Sequence, residues 1–208
     1  MRIIAGTHRG RTILPPDNDA TRPITDRVKQ SLFDILAPRI EDAVVFDCFA
    51  GTGSMGLECL SRGAKHVTFF EMNRSAVGLL KRNLETLGFA DRSTIVASDV
   101  FKFFPILAGP LAGRPSAETR PASGPAKIGQ AHLIFLDPPY RMVREESTAL
   151  QSLASKLADC LATDGVIIFR HDAADSLNLP SLECIGHRTY GGMTIELLVA
   201  PNAVSPAE

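Results

Sequence analysis

Val44-Val45-Phe46-Asp47-Cys48-Phe49-Ala50-Gly51-Thr52-Gly53-Ser54-Met55-Gly56 is the stretch that decides the fold. A short apolar run at 44–46 feeds a glycine loop, and helical spacing follows through Leu60 to a stop at Gly63. A second strand over 67–70 ends at Glu71. The next helix sets Val77, Leu80, Leu84 and Leu87 on one face, with Asn73 as its N-cap and Gly88 as its C-terminal stop. Strand, loop, helix, strand is a βαβ unit, whose crossover makes its two strands parallel.

Outward from this unit the rhythm continues. A third strand over 94–97 reaches Asp99, and the apolar run Leu133-Ile134-Phe135-Leu136 is a fourth. The pattern then predicts a helix over 145–161, a fifth strand over 166–169, and a hairpin in which 184–190 and 193–199 flank Gly191-Gly192. An alternating βα series closed by a hairpin implies a mainly parallel sheet with an antiparallel edge. Residues 105–130 break the rhythm with Pro110, Pro115, Pro121 and Pro125 among Gly, Ala and Ser, and read as a mobile surface insertion. Before the sheet, Ile3-Ile4 and Ile13-Leu14 bracket a turn holding His8, Arg9, Gly10 and Arg11, which predicts a small basic hairpin. Phe33 and Leu36 pack the helix after it onto the core.

The 208 residues suit one domain with a small appendage, divided as a 1–40 extension, a 41–201 body and a 202–208 tail. Lys+Arg 22 against Asp+Glu 23 leaves a formal charge of -1, so any polyanion-binding surface must be local. Cys48, Cys59, Cys160 and Cys184 form no C-x-x-C pair and read as reduced, buried thiols. His66, His132 and His187 lack metal-ligand spacing, and no metal is expected. With no apolar run of membrane-spanning length and no signal-peptide core, the expectation is a soluble, cytoplasmic protein with no membrane partner, monomeric by preference.

Gly51-Thr52-Gly53-Ser54-Met55-Gly56 matches G-x-G-x-x-G after a strand, and Glu71 follows where a ribose-binding acid belongs. The glycines alone do not separate a dinucleotide from S-adenosylmethionine. Asp47 favours the methyl donor, because its charge opposes a pyrophosphate and suits an ammonium, directly or through water. Asp99 ends the third strand within reach of an adenine amino group; helix capping is its alternative role. Phe49, Ala50, Met72 and Val100 complete the expected cofactor-binding set of Asp47, Gly51, Thr52, Gly53, Glu71 and Asp99.

Asp137-Pro138-Pro139-Tyr140 follows the fourth strand directly. Two prolines cannot continue a ladder, so an acid, a carbonyl and a ring are pinned at a strand's carboxyl end, where open α/β sheets place ligands. This is equipment for gripping a planar amine. An exocyclic amine is a poor nucleophile because its lone pair is delocalised. If Asp137 and the Pro138 carbonyl each accept one N–H, that lone pair turns toward a methyl group, while Tyr140 stacks on the base.

Asp47 to Gly53, Glu71 and the Asp-Pro-Pro-Tyr resemble, in that order, the motifs of class I amino-methyltransferases. The opening Met1-Arg2-Ile3-Ile4-Ala5-Gly6 through Gly10-Arg11, with Arg22-Pro23-Ile24-Thr25-Asp26-Arg27-Val28-Lys29 and Leu57-Glu58-Cys59-Leu60-Ser61-Arg62-Gly63-Ala64, is similar to the RsmD type, bacterial 16S rRNA guanine-N2 methyltransferases. The resemblance runs from residue 1 to about the last strand. It implies a Rossmann-like class I fold, a seven-stranded, mostly parallel sheet with an antiparallel C-terminal hairpin, and S-adenosylmethionine as donor with S-adenosylhomocysteine as product. It also implies 16S rRNA as partner, within a small-subunit assembly particle.

Arg2, Arg9, Arg11, Arg22, Arg27 and Lys29, with His8, form the expected RNA-facing set; Arg9 and Arg11, with no acid in the first 16 residues, are its strongest members. Two features depart from the family pattern: the length of the 105–130 insertion, and Arg170-His171-Asp172 where an acid would stand first. Rival readings are an adenine-N6 or cytosine-N4 DNA methyltransferase, a protein glutamine methyltransferase, an NAD-dependent oxidoreductase, and a non-catalytic RNA-binding assembly module.

Overall fold

The computed structural model describes residues 1–15, 24–104 and 130–201. Within them lies a seven-stranded sheet in the order β3-β2-β1-β4-β5-β7-β6. The strands are β1 (Val44–Cys48), β2 (His66–Phe70), β3 (Ser93–Val96), β4 (Ala131–Leu136), β5 (Leu161–Asp172), β6 (Glu183–Tyr190) and β7 (Met193–Val199). The first five run parallel to one another, and β7 pairs antiparallel with both β5 and β6. This is the architecture expected from the alternating pattern and its closing hairpin.

The helices are α1 (Asp26–Leu36), α2 (Ser54–Ser61), α3 (Arg74–Leu87), α4 (Val100–Phe103), α5 (Tyr140–Glu145) and α6 (Ser147–Ala158). They cover the sheet on both faces. Val45, Leu133, Phe135, Val166 and Ile168 point into one core with α1 and α2, whereas Phe46, Ile134, Leu136, Ile167 and Phe169 point into the other with α6. Alternation along each central strand therefore feeds two cores, which is why these strands read as continuous apolar runs. Phe33 and Leu36 of α1 are buried as expected, Phe33 with its ring centroid 5.9 Å from that of Phe135. Asn73 caps α3 by accepting from the Ser75 and Ala76 amides, and Gly88 ends that helix at φ 66°.

Three expectations are corrected. The helix expected over 145–161 is two helices, because Tyr140 already opens α5 behind Pro139, Glu146 leaves helical geometry at φ -125°, ψ 31°, and Leu161 belongs to β5. Cys184 is exposed on the edge strand and Cys160 is half-buried, so only Cys48 and Cys59 are the buried thiols expected of all four. Lys29 does not face outward: with its side chain 2% exposed, it lies inside the protein.

The N-terminal hairpin forms, with Arg2 bridging Thr12 and the Ile3 amide donating to Arg11 O at 2.9 Å. Ile3 and Ile13 enter the same core as α1 and α2. Its turn then wraps the end of α2: the Ile4 and Ala5 amides donate to Glu58 at 2.8 and 2.9 Å, and the Thr7 amide to Ser61 O at 2.8 Å. Gly6 makes this approach possible. At φ 82° it would carry a β-carbon only 1.9 Å from Ser61 O, so no other residue fits without moving backbone. Residue 22, almost all of the 105–130 insertion, and the 202–208 tail lie outside the described residues. Among the described residues, no helix is long and apolar enough to cross a membrane.

Candidate active site

Since β1 is flanked by β2 on one side and β4 on the other, the chain reverses direction across the sheet between β1 and β4. A crevice opens at such a switch point, above the carboxyl ends of the strands. Register collects the acids there. Cys48 pairs with Phe70 and Leu136, and Phe70 with Val96, so Asp47, Glu71, Asp99 and Asp137 stand around one end of the sheet.

The loop after β1 is built by backbone geometry. Phe49 holds φ 63°, an uncommon value for an aromatic residue and one found at functional sites, while Gly51 holds φ 56°. A β-carbon on Gly51 would meet nothing within 4 Å, so this turn borders open space. Glu71 pins it, one carboxylate oxygen accepting from the Gly51 amide at 2.8 Å and the other from the Asn73 amide at 2.7 Å. The other two glycines serve packing: a β-carbon on Gly53 would lie 2.4 Å from Leu80, and one on Gly56 2.3 Å from the Phe69 ring.

Of the expected cofactor residues, Phe49, Ala50, Gly51, Glu71 and Asp99 are half-buried around the crevice and Met72 is exposed. Thr52, Gly53 and Val100 are buried, so they lie beneath the loop rather than on its open face. Asp99 caps α4 by accepting from the Phe101 amide at 2.9 Å, the capping alternative weighed for it.

Asp47 is buried, and one carboxylate oxygen accepts from the Gly56 amide at 2.9 Å. Burial pushes its pKa up to about 8; the Gly56 amide opposes this, while the charges of Asp137 and Glu71 add to it. A nearby cation would relieve that penalty. Asp47 is therefore a buried acid suited to a positively charged ligand.

Asp137 and Arg170 meet at the end of β4. Leu136 pairs with Phe169, so the following residues of β4 and β5 are neighbours. Arg170 grips the carboxylate side-on, with Nε to Oδ1 at 2.6 Å and Nη2 to Oδ2 at 2.5 Å. Burial works against the guanidinium, but the Asp137 charge and hydrogen bonds outweigh it and hold its pKa above the ordinary value. Pro138 is buried and Pro139 exposed; the Pro139 carbonyl accepts from the Met142 amide at 2.8 Å as α5 begins at Tyr140. Tyr140 is half-buried there.

The basic set divides. Arg9, Arg11 and Arg27 are exposed, and Arg2 is exposed but paired with Asp26 at 2.7 Å. Arg2, Ile3, Ile4, Arg9, Gly10 and Gln30 line a hollow of about 180 Å³ between the hairpin and α1. His8 packs edge-on to Phe89, ring centroids 4.4 Å apart. Lys29 instead places Nζ 3.0 Å from Glu58 and 3.2 Å from the Arg2 carbonyl. Among the described residues, no group of three or more His, Cys, Asp or Glu is arranged to hold a metal ion.

Sequence reasoning missed Glu58 and left Arg170 without a role. A signal existed for Glu58, which stands between Leu57 and Cys59-Leu60 in a helix whose residues after Ser54 are all buried. A charge there needs internal partners. None existed for Arg170, because only the pairing of β4 with β5 brings it to Asp137.

The family model described as Conserved hypothetical protein 95 matches residues 1–111. The chain belongs to this family. Ribosomal RNA small subunit methyltransferase D of Escherichia coli (strain K12) is 40% identical over 149 residues, covering 71% of this chain and 64% of the relative. The chain thus matches just under two thirds of that relative's length. Putative rRNA methyltransferase YlbH of Bacillus subtilis (strain 168) is 31% identical over 193 residues, 92% of this chain and 94% of the relative. Among solved structures, the putative methyltransferase yhhF from Escherichia coli superposes with a TM-score of 0.75 at 31% identity, over 97% of this chain and 98% of that one. The RsmD-type resemblance and the Rossmann-like class I fold read from the sequence both hold.

Proposed function

We propose that this chain transfers a methyl group from S-adenosylmethionine to the exocyclic N2 of a guanine in small-subunit rRNA, within an assembling subunit. The observation that carries the reading is Asp137, an acid that follows β4 directly, is gripped by Arg170 of β5 and stands at the same end of the sheet as the Asp47–Gly51 loop. The two features match what the acceptor and the donor require. Burial pushes the Asp47 pKa up to about 8, so an ammonium docking beside it would relieve the cost of ionising it, whereas a pyrophosphate supplies no cation to do so. Gly51 borders open space, and Glu71 is fixed beside it for a ribose.

When bound, S-adenosylmethionine supplies an electrophilic sulfonium methyl. Asp137 accepts one N–H of the guanine amine and the Pro138 carbonyl the other, which turns the nitrogen lone pair toward that methyl. Nitrogen gains the N–C bond as the C–S bond breaks, its electron pair stays on sulfur, and the surplus proton leaves nitrogen for water. Catalysis of this kind rests mainly on position, with reacting atoms about 3 to 3.5 Å apart. Tyr140 stacks on the base, a contact worth about 1 to 3 kcal/mol. Because the amine must leave any base stack, the target is a flipped or single-stranded nucleotide. Arg9, Arg11 and Arg27, in the 1–40 extension, are exposed for phosphate contact.

Incubation with radiolabelled cofactor and 16S rRNA, small-subunit particles or duplex DNA tests the reading. Label in rRNA, mapped by mass spectrometry to N2-methylguanosine, is expected; label only in DNA would overturn it. A pH dependence follows as well. Asp47 carries a proton below about pH 8, and an ammonium docking beside it drives that proton off. The association constant of S-adenosylhomocysteine is therefore expected to rise by up to about tenfold per pH unit toward pH 8 and then level off. Calorimetry in buffers of different ionisation enthalpy reads the released proton, and Asp47→Asn removes the slope. The sign for the unbound fold is opposite. A carboxyl whose folded pKa exceeds its unfolded value of 3.8 adds stability below that value, lost as pH rises through about 8.

A further inference from the structure

We infer that Arg170 is the positioning residue of the methyl-acceptor site, a guanidinium fork that sets the plane of the Asp137 carboxylate and leaves one lone pair of each oxygen for the target amine. The inference rests on the reading of Asp137 as the acceptor for that amine. An ionised carboxylate offers about four lone-pair directions. The side-on fork through Nε and Nη2 consumes two of them in parallel bonds, which fixes the carboxylate's rotation as a single bond would not.

The backbone beneath the fork is equally constrained. Arg170 pairs with Ile195 of β7 and follows the Phe169–Leu136 pair with β4, so it lies between two neighbouring strands. It stands two residues beyond Ile168 on the sheet face that carries Phe135 and, beyond it, Asp137. The pair is shielded, its side chains 12% and 17% exposed, without being sealed off. Nη1 is buried with no hydrogen-bond partner among the described residues. The sequence pattern sets Arg170 first after a fifth strand ending at residue 169; it lies instead within β5, which runs on to Asp172, and its pairing with Asp137 gives it a role.

Lysine cannot replace such a fork, because an ammonium presents a point charge rather than two parallel donors. Arg170→Ala and Arg170→Lys are therefore both expected to lower kcat for methyl transfer about 100-fold at saturating cofactor and RNA. In Arg170→Lys, which keeps the charge beside Asp47, the dissociation constant of S-adenosylhomocysteine and the KM for RNA should stay within about twofold, because neither depends on carboxylate rotation. Guanidinium ion added at millimolar concentration, below the range that unfolds the wild type, is expected to restore at least about tenfold of the kcat lost by Arg170→Ala and nothing to Arg170→Lys. A merely structural arginine would not show that rescue. Wild-type kcat in Arg170→Lys overturns the inference, as does an Arg170→Ala that binds S-adenosylhomocysteine normally, is slow, and ignores guanidinium. If Arg170→Ala fails to fold, the Arg170→Lys result decides. The two readings fail separately: wild-type transfer to an amine other than guanine N2 overturns the proposed function, and the same variants are then judged on that amine.

Discussion

Glu58→Ala is expected to lower the free energy of unfolding by about 3–5 kcal/mol, the range for removing one partner of a buried ion pair. Glu58 is fully buried and holds four groups at once: Lys29 Nζ at 3.0 Å, Arg62 Nε at 2.9 Å, and the Ile4 and Ala5 amides. Removing it strands a lysine that is itself 2% exposed, and it leaves two backbone donors without an acceptor. It also removes a shared link among three elements, the N-terminal hairpin, α1 and α2, leaving them joined by their common core and by bonds such as that from the Thr7 amide to Ser61 O. Chemical denaturation at neutral pH measures the loss. Glu58→Gln distinguishes charge from hydrogen bonding, because the amide oxygen can still accept from the backbone while the charge opposite Lys29 is gone.

The same residue sets an acid dependence. Burial alone would raise the Glu58 carboxyl, but the Lys29 charge, the Ile4 amide and Arg62 outweigh it and hold its pKa below the ordinary 4.5. A depressed folded pKa gives stability that is present above the unfolded value and lost as pH falls through the folded one. Acid should therefore weaken the wild type more steeply than Glu58→Gln. An equal acid slope in the two proteins would show that Glu58 is not the titrating group.

Asp137→Ala is expected to reduce methyl transfer by about 10²–10³-fold in kcat, the scale on which a single transition-state hydrogen-bonding group acts. S-adenosylhomocysteine should still bind, since the proposed cofactor contacts are Asp47, Gly51 and Glu71 rather than Asp137. The substitution has a second cost. Arg170 would become a largely buried cation with no carboxylate, so part of the loss could come from unfolding. Asp137→Asn separates the two effects: it keeps an oxygen that can accept from Arg170 and from the amine, and it keeps the shape of the site. Activity ordered wild type, Asn, Ala, with all three proteins folded by circular dichroism at the assay temperature, is the expected outcome. Wild-type activity in Asp137→Ala would remove Asp137 from the chemistry altogether.

Much of the fold was legible because it rests on local rules. The glycine loop between β1 and α2 and the cap residues Asn73 and Gly88 act on backbone a few residues away, as does the Gly191-Gly192 turn, and each was read where it stands. Where local signals competed, the reading slipped. Pro139 opens α5 as readily as it ends β4, and Glu146 looks helical by composition although it breaks the helix. The acids at the strand ends were equally legible, since periodicity alone puts them there once the strands are parallel.

Charge pairing was not legible. Lys29 and Glu58 lie 29 residues apart, and a lysine among arginines reads as surface until α1 is packed across α2. Arg170 and Asp137 lie 33 residues apart and meet only because the register of two parallel strands makes them neighbours. By itself, then, the sequence determined the alternating sheet, the loop, and the residue types around the crevice, because those depend on periodicity and backbone conformation over short distances. The tertiary structure alone decided which charges neutralise one another and which remain exposed. A charge's fate depends on the partner brought to it, and no spacing along the chain encodes that.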